Sequence, residues 1–501
     1  IHIGWMPPGK FPLRVGSRIQ LRITFCPDTL AMADPIPPPD AQNPGDADSL
    51  QGAAGKKIWI VGTLTYSSGA LAVLFGWLLW GDFSWQLKER SAIPVVQIML
   101  KTFKSSDFLA GLFLATLPAL IGIVIQPVIS YRSDRHRGKW GRRIPYLLLT
   151  TPVATVSMFG LAFSPHIGAW IHGELGLAPD SLNFAILMVM GLCWTVFEFA
   201  TLAANVVFGA LINDVVPRQI IGRFFGMFRV VSLLTGIFFN YFLMGKVEGH
   251  FTIIFTVLGA VYGLGFTLMC LFVKEGDYPP PPQPVPGEKR GFGVAVRSYC
   301  RECFTRPYYV WSIASMGLAM VAFLPVNMYS VFAAKSFNLS MDAYGKYLAV
   351  TYAFSIMLAM PLGWLADRFH ATRVGLAALG VYTVVMLFAF AGVHGPQAFG
   401  IFFLLHGVLS GCYFTGAAAL GQMLFPKIKY AQFASAAVAA QALFTILLGP
   451  VLGGFLDLMH HDYRYVFAAG ALISFAAFVS GYVVYRGFLR YGGPRGYQAP
   501  D

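Results

Sequence analysis

Twelve long apolar runs constrain this chain more than any other feature. They lie at approximately 58–81, 108–131, 144–164, 182–212, 224–245, 251–273, 308–334, 347–366, 374–393, 398–426, 430–456 and 465–485. At 1.5 Å per helical residue, each is long enough to cross about 30 Å of hydrocarbon. A soluble helix carries one apolar stripe. These runs are apolar all round, so lipid or other helices must surround them. Composition agrees: 12% of residues are charged, against about 25% in soluble domains. The expected fold class is an all-α membrane protein with twelve transmembrane helices.

Residues 274–306 divide the runs into two sets of six. They contain Pro279 to Pro282, Pro284 and Pro286, followed by Glu288, Lys289 and Arg290. A proline-rich stretch followed by charge reads as a linker and not as a span. The expected organisation is a disordered N-terminal tail at 1–55, a six-helix half at 56–273 and the linker at 274–306. A second six-helix half at 307–486 and a cytoplasmic tail at 487–501 complete it. Residues 1–31 show no helical period, and Met32 opens a proline-rich, acidic stretch. We expect translation to start at Met32 and the tail to be dispensable for transport.

Lysine and arginine counts orient the chain. With the N-terminus in the cytoplasm, the inner segments carry 23 basic residues and the outer loops 8. Both termini are therefore expected in the cytoplasm, with the protein in the cytoplasmic (inner or plasma) membrane. The outer segment 81–107 stands apart. It mixes Trp85, Val95, Ile98, Met99 and Phe103 with Lys88, Arg90, Lys101 and Lys104, which suggests a helix lying in the outer interface. The net charge of +13 sits mostly in loops beside apolar runs, so lipid headgroups and not nucleic acid are the expected partner. The pair Cys300 and Cys303 has no second pair, and zinc needs four ligands. No metal site and no oligomer beyond a monomer is expected.

One loop carries more information than the rest. Residues 133–146 read Ser-Asp-Arg-His-Arg-Gly-Lys-Trp-Gly-Arg-Arg-Ile-Pro-Tyr. Asp134 and Arg135 precede Gly141, Arg142 and Arg143. One carboxylate can bind basic residues there while a glycine turns the chain. The second set of runs repeats the pattern as Gly363-Trp-Leu-Ala-Asp367-Arg368, with Arg373 beyond. Internal repeats of this kind mark secondary transporters. The loop resembles that between helices 2 and 3 of the major facilitator superfamily. Its tryptophan-glycine-arginine-arginine-x-proline-tyrosine ending resembles two sugar branches, the glycoside–pentoside–hexuronide:cation symporters and the sucrose:proton symporters. The resemblance implies that Asp134 and Asp367 fasten the two halves on the cytoplasmic side and act as gates. Asp134→Ala should then nearly abolish transport in a folded protein.

A charge near the bilayer centre costs on the order of 2.5–3.5 kcal/mol, so such residues are candidates for function. Glu198 reads as the only acid deep within a run. It is either a protonated acid bonded to a neighbouring helix or a proton carrier. Sucrose:proton symporters have an aspartate on helix 4 well before the acid that ends it, and Glu198 stands so relative to Asp214. The melibiose-type branch places a sodium-binding acid lower, where this chain has Asn205, and more sodium ligands in span 2, which has no acid here. Protons are thus favoured over sodium as coupling ion, with no other cofactor. Arg229 either snorkels to the surface or pairs with Glu198 and binds sugar hydroxyls.

Sugar sites use amides for hydroxyls and aromatic faces for the ring. The candidates are Gln126, Asn205, Asn240 and Asn327, with Tyr66, Tyr329, Tyr352 and Tyr413. Each aromatic also has an ordinary packing reading. Asn327 stands beside Pro325, which frees a backbone carbonyl. His406 is open between packing and a second titrating site. The expected function is proton-coupled symport of a glycoside or disaccharide by alternating access, with no enzymatic activity. Two rivals remain: a carrier of another substrate such as a lysolipid, and a transporter-fold assembly factor or sensor that does not transport.

Overall fold

The computed structural model describes residues 49–51, 57–176, 178–278, 292–426 and 429–500. The expected disorder of residues 1–48, the proposed start at Met32 and the proline run at 279–286 lie outside them. Within the expected tail, Ser49–Gln51 (β1) is a strand. It pairs antiparallel with Lys57–Val61 (β2), which pairs with Leu64–Ser67 (β3) in the register Val61↔Leu64. Gly62 turns this tight hairpin at φ +57, a backbone region costly for residues with a Cβ.

The first span is displaced from its expected place. Residues 58–67 are hairpin, and Ser68–Thr102 (α1) is one helix of 35 residues, roughly 52 Å long. Ser67 caps it, accepting from the Ala70 N–H at 3.2 Å. The expected interfacial helix at 81–107 is instead the second part of α1. Trp85, Val95, Val96, Ile98, Met99 and Leu100 are all buried there. The chain then turns through Ser106, whose hydroxyl accepts from the Leu109 N–H, into Asp107–Gly111 (α2). A π-helical turn at Leu112–Thr116 leads straight into Leu117–Arg135 (α3).

Ile144–Glu174 (α4), Leu182–Val215 (α5), Ile221–Phe242 (α6) and Val247–Phe272 (α7) complete the first half. The expected linker is partly ordered, because Phe292–Phe304 (α8) is a helix. The second half runs through Pro307–Ala322 (α9), Leu324–Ser336 (α10), Met341–Phe369 (α11), Ala371–Gly392 (α12) and Pro396–Gly416 (α13). Leu420–Leu424 (α14), Tyr430–Leu458 (α15) and Arg464–Arg490 (α16) follow. Pro325 sits just inside α10 and breaks the α9–α10 span. Among the described residues, 11 helical segments are long and apolar enough to cross a membrane. The charged α1 is a further long helix packed among them, against α6 and α7.

Each half packs mainly on itself: α4 on α5 and α7, α12 on α13 and α16, α9 on α16. The halves meet along α6 with α11, and along α2 and the head of α3 with α15. Glycines permit the closest approaches. A Cβ at Gly111 or Gly449 would strike the other's backbone, and one at Gly345 would strike the Asn240 carbonyl. Thr116 Oγ1 donates to the Ile446 carbonyl at 3.0 Å and Gln97 Nε2 to the Asn327 carbonyl at 2.9 Å. Lys335 pairs with Glu248 at 2.9 Å. All these contacts lie toward the 103–106 and 459–463 turns. At the other end, α3 buries only Ser133 from Leu117 onward, and α11 buries nothing past Thr351. The structure is closed between the halves at the first end and open at the end carrying the 136–143 loop.

Candidate functional site

The middle of α1 carries the charges that organise the space between the halves. Its i, i+4 spacing sorts them onto separate faces. Asp82, Gln86 and Arg90 point toward α6. Gln86 Nε2 donates to Asp82 Oδ1 at 3.1 Å, Ser232 Oγ donates to Gln86 Oε1 at 2.8 Å, and Arg90 Nη2 donates to Ser232 Oγ at 2.8 Å. The Arg90 guanidinium also lies 5.1 Å from the centre of the Tyr352 ring on α11. Trp85, Glu89 and Ile93 face α5, where they line a small pocket of about 50 Å³ with Trp194, Phe197, Glu198, Thr201, Leu202 and Asn205.

Between these faces stands Lys88, with a side chain 0% exposed. Its Nζ lies 3.2 Å from Glu89 Oε2 and 3.7 Å from the Trp85 ring centre, with the Phe197 and Tyr262 rings at 5.5 and 5.4 Å. A bare buried ammonium costs several kcal/mol. Three aromatic faces and one carboxylate offset that here. Glu198 therefore shares its surroundings with Lys88 and Glu89, and two readings need correction. Glu198 is not the only acid within the helices, because α1 brings Glu89 into the same pocket and buries Asp82. Nor does it pair with Arg229, whose charged and aromatic neighbours are Arg90 and Tyr352. Arg229 lies on the same helix as Ser232, one turn from the Arg90 hydrogen bond.

The small pocket shares one wall residue with a larger one. Leu202 lines both it and a cavity of about 560 Å³ between α3, α5 and α15. Gln126 lines the larger cavity and Asn205 the smaller. Asn327 is exposed among buried neighbours. Its Oδ1 lies 3.0 Å from His406 Nε2, and His406 Nδ1 lies 2.9 Å from Tyr382 Oη. With both ring nitrogens engaged, His406 is a packed orienter of Asn327. The carbonyl that Pro325 frees is four residues back, at Val321; the Asn327 carbonyl accepts instead from Gln97 Nε2 and Ser330 Oγ.

The other expected sugar contacts are placed elsewhere. Tyr66 lies on β3, outside the helical bundle. Tyr329 is 0% exposed and donates to the Asp107 carbonyl at 2.7 Å. Tyr413 packs on Phe323 and Phe414. Asn240 is 0% exposed and donates to the Gly236 carbonyl at 2.8 Å. Tyr352 is half-buried between the halves, wedged against Gly236 and Arg90.

The basic loop is folded around two acids that its own sequence does not contain. Gly141 turns it at φ +92. The Glu275 carboxylate then accepts the backbone N–H groups of Arg142, Arg143 and Ile144 at 2.9, 2.8 and 2.7 Å. These are the orphan donors at the start of α4, where the helix dipole also favours an anion. Burial, and next the Glu275 carboxylate, push the Tyr278 hydroxyl up, so it stays protonated and donates to Glu275 Oε2 at 2.9 Å. Arg142 grips Asp214 with two donors, Nε at 2.9 Å and Nη2 at 2.5 Å. Arg143 reaches Asp214 at 3.0 Å, Ser133 at 2.6 Å and Asp134.

Ser133, Asp134 and Asp214 belong to the first half, and Glu275 and Tyr278 follow directly after its last helix, so Asp134 here ties the loop to its own half. Arg135 stacks on Tyr131 at 3.6 Å. The repeated loop is not built the same way. Gly363 has open space around it, Arg368 lies 5.2 Å from the Trp364 ring, and among the described residues Asp367 has no ion-pair partner. Glu275→Gln should keep the hydrogen-bonding shape but lose the charge opposite three N–H groups. The expected cost is about 1–2 kcal/mol, read as a lower Tm in detergent. An unchanged Tm would show that the cap is dispensable.

The comparisons agree with this architecture. The family profile described as Major Facilitator Superfamily matches residues 68–350 and 311–496. Its first matched residue is the first residue of α1. The general alpha-glucoside permease of Schizosaccharomyces pombe is 26% identical over 282 residues, 54% of this chain and 46% of that protein. The sucrose transport protein SUT1 of Oryza sativa subsp. japonica is 32% identical over 87 residues, 17% of this chain and 15% of that one. The chain thus spans about half the length of the permease and far less of the rice protein.

A bacterial homologue of the lysosomal transporter Spinster, solved inward-facing and unoccupied, superposes with TM-score 0.60 at 15% identity, over 84% of this chain and 97% of that one. A D-xylose-proton symporter superposes with TM-score 0.54 at 16% identity, over 81% and 96%. Two self-packed helical halves, a loop pattern repeated between them and a family profile covering nearly all the helices lead to one assignment: the chain belongs to the major facilitator superfamily and is a membrane transporter, not an enzyme.

Proposed function

We propose that the protein is a proton-coupled symporter of a sugar, a glycoside or disaccharide, working by alternating access. The observation that carries this reading is Glu198 beside Lys88 and Glu89, in a pocket that shares Leu202 with the larger cavity. A carboxylate there is poised to take a proton when the site faces one side and release it on the other. Asn205, Gln126 and Asn327 supply amides for hydroxyl groups, and Tyr352 supplies a ring face. The absence of an acid between Leu117 and Ser133 favours protons over sodium. The names of the permease, the rice protein and the xylose symporter point to sugar. With the basic loops in the cytoplasm of a cell or plasma membrane, the open end faces inward.

One feature favours a second reading, an amphipathic lipid such as a lysolipid. The larger cavity is walled mostly by Leu114, Pro118, Ile123, Val438, Ala439 and Ala442, an apolar surface suited to an acyl chain. The test is uptake of labelled sugars and of a labelled lysolipid into proteoliposomes, with and without an inward proton gradient. Gradient-driven accumulation of a sugar is the expected result. Uptake of lysolipid alone would replace the first reading with the second.

A further inference from the structure

At the closed end, one residue of the first half is held almost entirely by the second. Asp107 opens α2 and is 1% exposed. Tyr463 Oη donates to its Oδ1 at 2.8 Å, and His461 Nδ1 stands 2.7 Å from its Oδ2. Its carbonyl accepts from Tyr329 Oη at 2.7 Å. Its N–H donates to Asp457 Oδ1 at 2.8 Å, while the next N–H, that of Phe108, donates to Asp457 Oδ2 at 2.9 Å. Tyr329, Asp457, His461 and Tyr463 all belong to the second half.

We infer that Asp107 is the positioning residue that holds this end of the transporter shut, and that His461 makes its hold depend on protons. The two carboxylates and the imidazole lie close enough together to suggest a metal centre. All four carboxylate oxygens, however, already face donors of this chain. That is the pattern of a clasp. Histidine is the side chain whose charge ordinarily changes between about pH 5 and 8. Protonated, His461 places a cation against Asp107, with Asp457 Oδ1 3.7 Å away. Neutral, it leaves two carboxylates to the hydrogen bonds alone.

The surrounding charges do not cancel this effect. Lys101 of α1 donates to Tyr463 Oη at 3.1 Å and so bears on Asp107 through that hydroxyl. Lys335 of α10 is paired with Glu248, and Asp462 is bound by Arg464. His460 precedes His461 in a turn where both have positive φ, 53 and 61. Acid should therefore tighten the closed end and alkali loosen it. This rests on the alternating-access part of the proposed function, and not on the substrate or the coupling ion.

The test needs no substrate, so it stands apart from the sugar experiment. Gly249 and Gly395 lie toward this end in opposite halves, and a side chain at either meets open space. Spin labels on Gly249→Cys and Gly395→Cys, with the other cysteines changed to serine, report the separation of the halves in lipid nanodiscs. From about pH 5 to 8 the long-distance population should rise about fivefold. His461→Gln should abolish that response. Asp107→Asn should show long distances at both pH values, and Asp107→Glu should recover part of the closure. A monodisperse peak on size exclusion establishes folding for each variant, and His461→Gln carries the test if Asp107→Asn does not fold. A parent protein that ignores pH overturns the inference, and so does a His461→Gln variant that still responds. Closure driven by added zinc chloride instead of acid also overturns it, in favour of a metal site.

Discussion

Vesicles containing the Glu198→Gln variant should fail to concentrate sugar under an imposed proton gradient, yet should still exchange labelled for unlabelled sugar. The amide keeps the shape of the protonated acid and can still hydrogen-bond, but it has no proton to release. Exchange needs no net release and should survive. The effect should be large. One proton across 100 mV is worth about 2.3 kcal/mol, or roughly fifty-fold accumulation, and the variant should fall to a ratio of about one. Glu198→Ala should do more harm, because it also removes the hydrogen-bonding group that shares the pocket with Glu89 and stands near Lys88. If Glu198→Gln concentrates sugar as well as the parent, Glu198 is structural. Glu89, in the same pocket, is then the next carrier to test.

The largest loss of stability is expected from Arg143→Ala. The Arg143 side chain is 6% exposed and serves Asp134, Asp214 and Ser133 together. Removing one partner of a buried pair costs about 3–5 kcal/mol, because the charge left behind is neither solvated nor paired. Here Asp214, 13% exposed, keeps only Arg142. The measurement is thermal unfolding in detergent, beside surface expression. Arg143→Lys should not restore stability, since one ammonium cannot reproduce a planar fork facing three partners. Asp134 is half-exposed, so Asp134→Ala should spare the fold. Any transport defect it causes then reports on the loop's movement. A Tm for Arg143→Ala equal to that of the parent would remove the buried clasp from the argument.

Most of the architecture is legible in the sequence because hydrocarbon leaves the backbone few choices. Runs such as 182–212 and 465–485 fall within α5 and α16, and the repeated loops fall where two related halves place them. The first helix is not legible in the same way. A hydropathy reading assigns a charge to water unless a partner is known. Beyond Trp85 and Glu89 beside Lys88, the partners of Lys88 and Arg90 include Phe197, Ser232 and Tyr262, more than a hundred residues away. The i, i+4 series Asp82, Gln86, Arg90 is the signal that could have revealed a helix there.

The basic loop shows the same limit. Its arginines are visible, but Glu275 and Asp214 come from other helix ends. Of the sugar candidates, Gln126 and Asn205 line the two cavities and Asn327 is exposed among buried neighbours, whereas Tyr329 and Asn240 are fully buried and bonded to backbone carbonyls. An amide or a ring in an apolar run announces its chemistry but not the direction in which it points.

The charged middle of α1 also bears on how the protein is made. Asp82, Lys88, Glu89 and Arg90 emerge from the ribosome before any residue of α5, α6 or α7 exists. At an insertion cost on the order of 2.5–3.5 kcal/mol for each such charge, α1 alone has little reason to enter lipid. Tyr262, the last of the rings around Lys88, follows roughly 170 residues later, on the order of ten seconds or more of synthesis. The first helix must wait in a wet or protein-lined place until its partners arrive. The N-terminal half therefore enters the bilayer as a group, and a ribosome stalled before α7 should leave α1 still extractable.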